Sequence, residues 1–289
     1  MLPVVPPPIA GETVLSWLER LAAAYGLAPA ALLARIDRRC ETNPARLLAA
    51  LDPLTAAALA EATGVSGARL QALTLGAGAD RARAELPSGW RAARWPCCPL
   101  CRAADPVPHA RLWWSRSWAA ACPGHGTRLE TAARPAEALA PEALRLVLQV
   151  QGELAAGDPS RAGGLRLLIE LIVGAMRAPI GAWPRAMPLA LRAGLDGLAP
   201  PVGDARVGFS AQPLAVRAQA LQLLGWALAD WPGRAGALGA LAPASRVRRV
   251  AAGLRRLGWD RREVARLSGP RPSANRFTDA PEGREPAAP

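Results

Sequence analysis

Cys98-Pro99-Leu100-Cys101 and, after twenty intervening residues, Cys122-Pro123-Gly124-His125 form two matched knuckles. No other feature constrains this chain as strongly. A two-residue spacer lets one tight turn present two ligands to one ion, and two such turns a ribbon's length apart complete a tetrahedral zinc site. One structural Zn2+ held by Cys98, Cys101, Cys122 and His125 is therefore expected. Four protein ligands close the coordination sphere, whereas a catalytic zinc keeps one position open for water. Cys97 offers an alternative first ligand at CxxxC spacing. His109, alone among prolines inside the loop, reads as a solvated residue rather than a spare ligand. Cys40, remote in sequence, reads as an inert thiol. Five cysteines, most of them assigned to metal, do not make a disulfide framework, and a reducing cytoplasm follows.

All 35 basic residues are arginine, and the net charge is +12. The missing lysine, with abundant alanine, glycine and proline, reflects composition bias, but the charge favours a polyanionic partner, nucleic acid first. Without lysine no GxxxxGK[ST] phosphate loop exists. The opening Met1-Leu2-Pro3-Val4-Val5-Pro6-Pro7-Pro8 lacks the charged start of a signal peptide. The longest apolar run, Leu165 to Met176, is interrupted by Arg166 and Glu170 and is too short to span a bilayer. A soluble cytoplasmic protein with no membrane partner is expected.

Val14, Leu18, Leu21, Ala22 and Tyr25 share one helical face, with Thr13 as N-cap and Gly26 as stop. A second helix follows Pro29. Residues Thr55 to Leu73 read as helix, glycine turn, helix, with Ser66 capping the latter; this is a helix-turn-helix layout or an ordinary helical hairpin. Composition changes from Pro87 to Pro96, and Arg111 to Ala120 reads as a ribbon strand. There Trp113, Trp114 and Trp118 alternate with Arg111 and Arg116. Such tryptophans either cover a metal site in a module with little core or stack on bases. Leu139 to Leu154, Ala162 to Met176, Met187 to Leu195 and Leu214 to Leu228 carry leucines at helical steps. Gly/Pro clusters at 156–164, 196–208 and 231–243 read as joints.

A helix capped by Ser245, with Val247, Val250, Ala251, Leu254 and Leu257 inward, closes at Gly258. Asp260 caps a second helix, with Glu263 placed for a capping box and Gly269 as its stop. Between Ser245 and Phe277 stand ten arginines and two acids, so this stretch holds eight of the twelve net charges. Arg246, Arg248, Arg249, Arg255, Arg256, Arg261 and Arg262 are the candidate DNA contacts, against the alternative of a solvated basic face. Pro270 and Pro272 leave little room for a reading helix, so phosphate contact is better supported than base readout.

Gly11-Glu12-Thr13-Val14-Leu15-Ser16-Trp17-Leu18-Glu19-Arg20-Leu21-Ala22, the paired knuckles, and Cys122-Pro123-Gly124-His125-Gly126-Thr127-Arg128-Leu129 together resemble the TniQ family, TnsD-type members included, over roughly residues 6 to 135. The resemblance implies a target-site selector of a transposon. Such a protein binds target DNA, or a CRISPR effector that has found it, and recruits the AAA+ ATPase regulator of the transposase. It also implies that Cys98, Cys101, Cys122 and His125 are the zinc ligands. Thr13 replaces the usual serine, and the second cysteine pair of many members is missing after Leu129. Trp17 and the proline arm are the candidate contacts for the ATPase, with packing inside its own domain as the alternative for Trp17.

The expected fold is mainly α. It comprises a helical region (1–90), a small zinc-ribbon-like module (91–135), a helical domain ending in a helix-turn-helix-like basic hairpin (136–269), and a disordered tail (270–289). The expected function is a non-enzymatic transposition adaptor. The alternative is a stand-alone DNA-binding transcriptional regulator with the same zinc module and hairpin. Two histidines, a closed metal site and no defensible carboxylate pair argue against an enzyme.

Overall fold

The computed structural model describes residues 1–76, 96–131, 135–156, 158–185, 187–196, 198, 200–202, 209 and 212–268. The expected tail, the stop at Gly269 and the boundary between residues 90 and 91 lie outside the described residues. The chain is mainly helical, with thirteen α-helices and one two-stranded sheet among the described residues.

The first five helices are α1 (Val14–Ala23), α2 (Pro29–Ile36), α3 (Pro44–Ala49), α4 (Pro53–Thr63) and α5 (Gly67–Gln71). Each of α1, α3, α4 and α5 starts where a side chain takes an orphan amide: Thr13, Asn43, Asp52 and Ser66 accept from Ser16, Ala45, Thr55 and Arg69. Gly64 ends α4 in the left-handed region (φ 71°), a conformation open to glycine. Val14, Leu15, Leu18, Leu21, Leu32, Leu33, Leu47, Leu48, Leu59 and Leu70 form one buried core. At about 1.5–3 kcal/mol for each fully buried aliphatic side chain, this core drives the assembly of helices too short to persist alone. The α4–α5 pair buries its own Leu59 and Leu70 in that core, as a packing hairpin does.

The knuckle module is built on strands of two residues each. Strand β1 (Pro96–Cys97) pairs antiparallel with β2 (Glu130–Thr131), in register Cys97 with Glu130. Between them lie α6 (Pro99–Ala104) and a 3-10 turn at Leu112–Ser115. The expected strand over Arg111 to Ala120 is therefore not formed. Its backbone groups are satisfied by other means: Leu112 N–H donates to the Gly11 carbonyl, and Arg217 and Gln151 take those of Arg116, Ala119, Ala120 and Ala121.

The remaining helices are α7 (Pro141–Ala155), α8 (Pro159–Ala175), α9 (Leu189–Asp196), α10 (Leu214–Leu228), α11 (Gly233–Leu241), α12 (Ala244–Arg256) and α13 (Arg261–Arg266). Helix α10 is buried on all sides from Val216 to Ala227, so it is the axis on which α7, α8 and α11 pack. Helix α11 falls in a stretch expected to be a joint. Its glycines are close-approach positions: a Cβ on Gly239 would sit 2.2 Å from the Leu267 carbonyl oxygen. Helix α12 starts after Pro243, two residues earlier than the Ser245 cap implies. Asp260 caps α13 as expected, but the Glu263 carboxylate accepts the Trp231 indole N–H at 2.8 Å, so no side-chain bond of a capping box reaches back.

Candidate metal centre and basic helical face

The first knuckle is a helix start. Cys98 is the N-cap of α6, its Sγ accepts the Cys101 amide at 3.5 Å, and Pro99 occupies the first turn, where its missing N–H costs nothing. The second is a tight turn closed by Gly126 N–H on the Cys122 carbonyl (2.9 Å) and Cys122 N–H on the Thr127 carbonyl (2.8 Å). Gly126 has φ 63°, a conformation that favours glycine.

These two turns bring Cys98, Cys101 and Cys122 Sγ and a His125 ring nitrogen within 4.8 Å of one another. Cys101 Sγ lies 3.7 Å from Cys122 Sγ, and His125 Nδ1 lies 3.5, 3.2 and 3.6 Å from the sulfurs of Cys98, Cys101 and Cys122. A tetrahedron with metal–sulfur bonds of about 2.3 Å and metal–nitrogen bonds of about 2.0 Å has edges of about 3.5–3.8 Å. The four donors thus fit one tetrahedral cation that favours thiolate. The cysteines are buried while His125 is exposed. Burial pushes the Cys101 thiol up, to about 12, with Cys122 beside it adding to the shift. Burial also opposes ionisation of Cys98, but hydrogen bonds from Thr127 and the Cys101 amide outweigh it and hold that thiol below its usual value. A cation among these sulfurs would offset the burial cost of the Cys101 thiolate.

Cys97 is not among the converging atoms; it is buried on β1, and burial pushes its thiol up. His109 also stays out, with Nδ1 2.9 Å from the Val107 carbonyl oxygen and 3.6 Å from Asp105 Oδ2, and its side chain is largely covered rather than solvated. Cys40 is buried in the N-terminal core. The tryptophan trio divides. Trp114 is buried among the cysteines, Trp113 meets it edge-on at 6.0 Å, and Trp118 is half-buried between this cluster and the C-terminal core.

The Gly-Glu-Thr…Ser-Trp-Leu-x-Arg stretch is a single polar network. The wholly buried Glu12 carboxylate accepts from Ile9 N–H (3.0 Å), Ser16 Oγ (2.9 Å) and both Nε and Nη2 of Arg20 (2.9 and 2.6 Å). Arg20 Nη2 also donates to the Pro7 carbonyl, and Ser16 Oγ accepts the Ala110 amide from the knuckle module. Trp17 has no exposed surface, and its indole N–H donates to the Pro6 carbonyl at 2.9 Å. This corrects the assignment of Trp17 as a partner contact: its ring is core, and it fastens the proline arm to its own domain.

Residues 3–129 match the family model described as TniQ. The chain carries a TniQ domain. The matched span ends at Leu129, so it takes in the Glu12 network and both knuckles. No curated protein matches the chain, and no solved structure does. TniQ is a family of non-catalytic adaptors associated with transposition. Among the described residues no helix is long and apolar enough to cross a membrane.

Beyond the TniQ domain, α12 is amphipathic, with Val247, Val250, Ala251 and Leu254 buried. Arg248, Arg249, Arg255 and Arg256 are exposed on its opposite side, and Arg261, Arg262 and Arg266 are exposed on α13. None of these seven forms an ion pair with another described residue. Arg246 is the exception among the candidate contacts. It is 4% exposed, its Nη1 donates to the Glu170 carbonyl at 3.0 Å, and its stem packs on Gly174, so it pins α12 to α8 instead of facing solvent.

Sequence reading missed the clamps that hold the knuckle module. Gln151 Oε1 accepts the amides of Ala120 and Ala121, and its Nε2 donates to the Ala121 carbonyl. Arg217, almost wholly buried in α10, donates from Nη2 to the carbonyls of Arg116 and Ala119. Burial pushes its guanidinium down to about 10, so it still carries its charge at neutral pH. The available signal was a charged residue inside the apolar period of α10.

Proposed function

We propose that this protein is a zinc-containing, non-enzymatic adaptor that selects targets for a transposon. It holds DNA, or a CRISPR effector bound to DNA, at one end and recruits the AAA+ ATPase regulator at the other. The TniQ match is the observation that carries this reading. Zn2+ is the resident ion, because three cysteines and one histidine at tetrahedral spacing suit it above harder cations. When bound, it neutralises the thiolates and locks the two knuckles together. The protein's residues do the rest: Thr127 and the Cys101 amide steady Cys98, and the Glu12 network fixes the N-terminal helices against the module.

DNA engages the C-terminal helical region (136–269), through Arg248, Arg249, Arg255, Arg256, Arg261 and Arg262. These cations are exposed and without carboxylate partners among the described residues, as phosphate contacts require. The TniQ domain, formed by the helical region (1–90) and the zinc module (91–135), is the site for the ATPase. The adaptor works in the cytoplasm, on the nucleoid.

A pull-down of the full-length chain with the ATPase of its own transposon, with and without DNA, tests this. Retention of the ATPase, strengthened by DNA, together with loss of targeted insertion when the gene is deleted, is the expected result. DNA binding with no ATPase retention and normal insertion would instead identify a transcriptional regulator.

A further inference from the structure

Helices α8 and α12 run antiparallel in close contact. A Cβ on Gly163 would lie 3.1 Å from Leu257, one on Gly253 would lie 2.6 Å from Leu167, and one on Gly174 would lie 2.7 Å from Arg246. These three approaches fix which side of each helix borders the seam. Stepping 100° per residue from them places Arg166 and Glu170 of α8 on the same side of the seam as Arg249 and Arg256 of α12. Arg177, just past α8, joins them: burial pushes the Arg246 guanidinium down, the Glu170 carboxylate opposes the fall, and the charges of Arg177 and Arg249 add to it, so all three stand around that end of the seam.

On this side a cavity of about 190 Å3 opens between α8 and the knuckle module, lined by Ser117, Trp118, Leu167, Ile169 and Phe209, with Arg166 and Glu170 in its wall. Small-molecule sites generally start at about 300 Å3. This cavity admits one ring system and no cofactor. Its aromatic and aliphatic walls suit a flat apolar surface. Its surroundings are cationic, so that surface belongs to something carrying phosphates.

We propose that the Trp118–Phe209 cavity receives a single unpaired nucleobase from nucleic acid lying along the arginine face. A base inside a duplex is stacked and out of reach, so the cavity discriminates for DNA that is mismatched, bulged or partly unwound. Trp118 supplies the stacking surface, Arg166 and Arg249 hold the flanking phosphates, and the Glu170 carboxylate accepts from donors on the base edge. The arginine stripe alone would grip any duplex. The cavity adds selection for distorted DNA, a property suited to a protein that marks insertion points. The inference rests on the reading of the arginine face as a DNA surface.

The test compares a paired 30-base-pair duplex with the same duplex carrying one bulged 2-aminopurine, both titrated with full-length, metal-loaded protein. Binding about tenfold tighter to the bulged duplex, with a change in 2-aminopurine emission, is the expected result, in line with base–aromatic stacking. Trp118→Ala should abolish the preference and the emission change while leaving affinity for the paired duplex within about twofold. Trp118→Phe should retain most of the preference, which separates lost stacking from a damaged fold. Equal affinity of the wild type for both duplexes overturns the cavity and leaves the DNA face standing. Failure to bind either duplex overturns both. A preference that survives Trp118→Ala sends the base elsewhere and overturns the assignment. So does a Trp118→Ala protein that keeps both DNA affinities but loses a protein partner, since the cavity would then seat an apolar side chain.

Discussion

At the scale of single residues, the sequence motif and the metal donors have different origins in the fold. The donors are legible because their chemistry demands a spacing, and Cys98, Cys101, Cys122 and His125 converge as that spacing requires. Cys122→Ser removes one corner of the tetrahedron, and metal content should fall from about one equivalent to well below half, by elemental analysis after gel filtration. Trp17 was open to two readings from sequence, because a tryptophan at the edge of an apolar face serves a core and a partner surface equally well. The deciding fact is the Pro6 carbonyl, which the docked arm brings to the indole N–H. Glu12 was legible only as part of a motif. In the structure it is a buried anion shared by an amide, a hydroxyl and a guanidinium. Glu12→Ala strands Arg20 and unfastens the arm, so a loss of about 3 kcal/mol is expected in urea denaturation. Gly164 gave no signal in sequence, yet a Cβ there would lie 2.3 Å from the Trp259 ring. Gly164→Ala should destabilise by about 1–3 kcal/mol, read as a lowered thermal midpoint, because that ring cannot move without leaving Trp231, its edge-on neighbour at 5.6 Å.

At the scale of elements, leucine periodicity located α7, α8, α9 and α10 within a few residues, and glycine misled it. The 231–243 stretch reads as a joint because glycine usually breaks helices, but α11 forms there. Its glycines let the end of α13 approach the helix backbone closely, and tertiary packing outweighs their poor propensity. The expected strand at 111–120 failed for the converse reason. Alternating side chains suit a strand only where a neighbouring strand offers its backbone, and here Arg217 and Gln151 take that role from α10 and α7. Helix α12 was read correctly in its buried face and wrongly at Arg246, since a long arginine at the edge of an apolar arc can reach inward to the Glu170 carbonyl. This sorts its arginines by function. Changing Arg248, Arg249, Arg255 and Arg256 together to Gln should reduce duplex affinity, with the fold intact by circular dichroism. The log–log salt slope should flatten by about 0.9 for each phosphate that is no longer neutralised. Arg246→Gln should act in the opposite sense, lowering stability while leaving the salt slope unchanged.

At the scale of the whole molecule, the metal centre joins the TniQ core to the C-terminal bundle. On one side, Thr13 N–H donates to the Ala110 carbonyl, Leu112 N–H to the Gly11 carbonyl and Ala110 N–H to Ser16 Oγ, so the segment after the first knuckle is fastened to α1. On the other, Arg217 and Gln151 hold residues 116–121, the approach to the second knuckle, from α10 and α7. The buried Arg217 charge has no carboxylate among these partners and relies on carbonyls of the segment leading to the second knuckle, which an ion held there would steady. An ion bound at the four donors would supply folding energy to a module with two-residue strands and a core of a few cysteines and tryptophans. Removing the ion should therefore destabilise both helical regions rather than fray the loop alone. A chelator-treated sample followed by hydrogen exchange should lose protection in α1 and in α7 and α10 together, and readdition of Zn2+ should restore all three. Acid should act in the same direction as chelation, since protons compete with the cation for the thiolates and the imidazole, and protection should fall as pH falls. Protection lost only between residues 96 and 131, with α1 and α10 unchanged, would show that the ion stabilises its own module and does not couple the two regions.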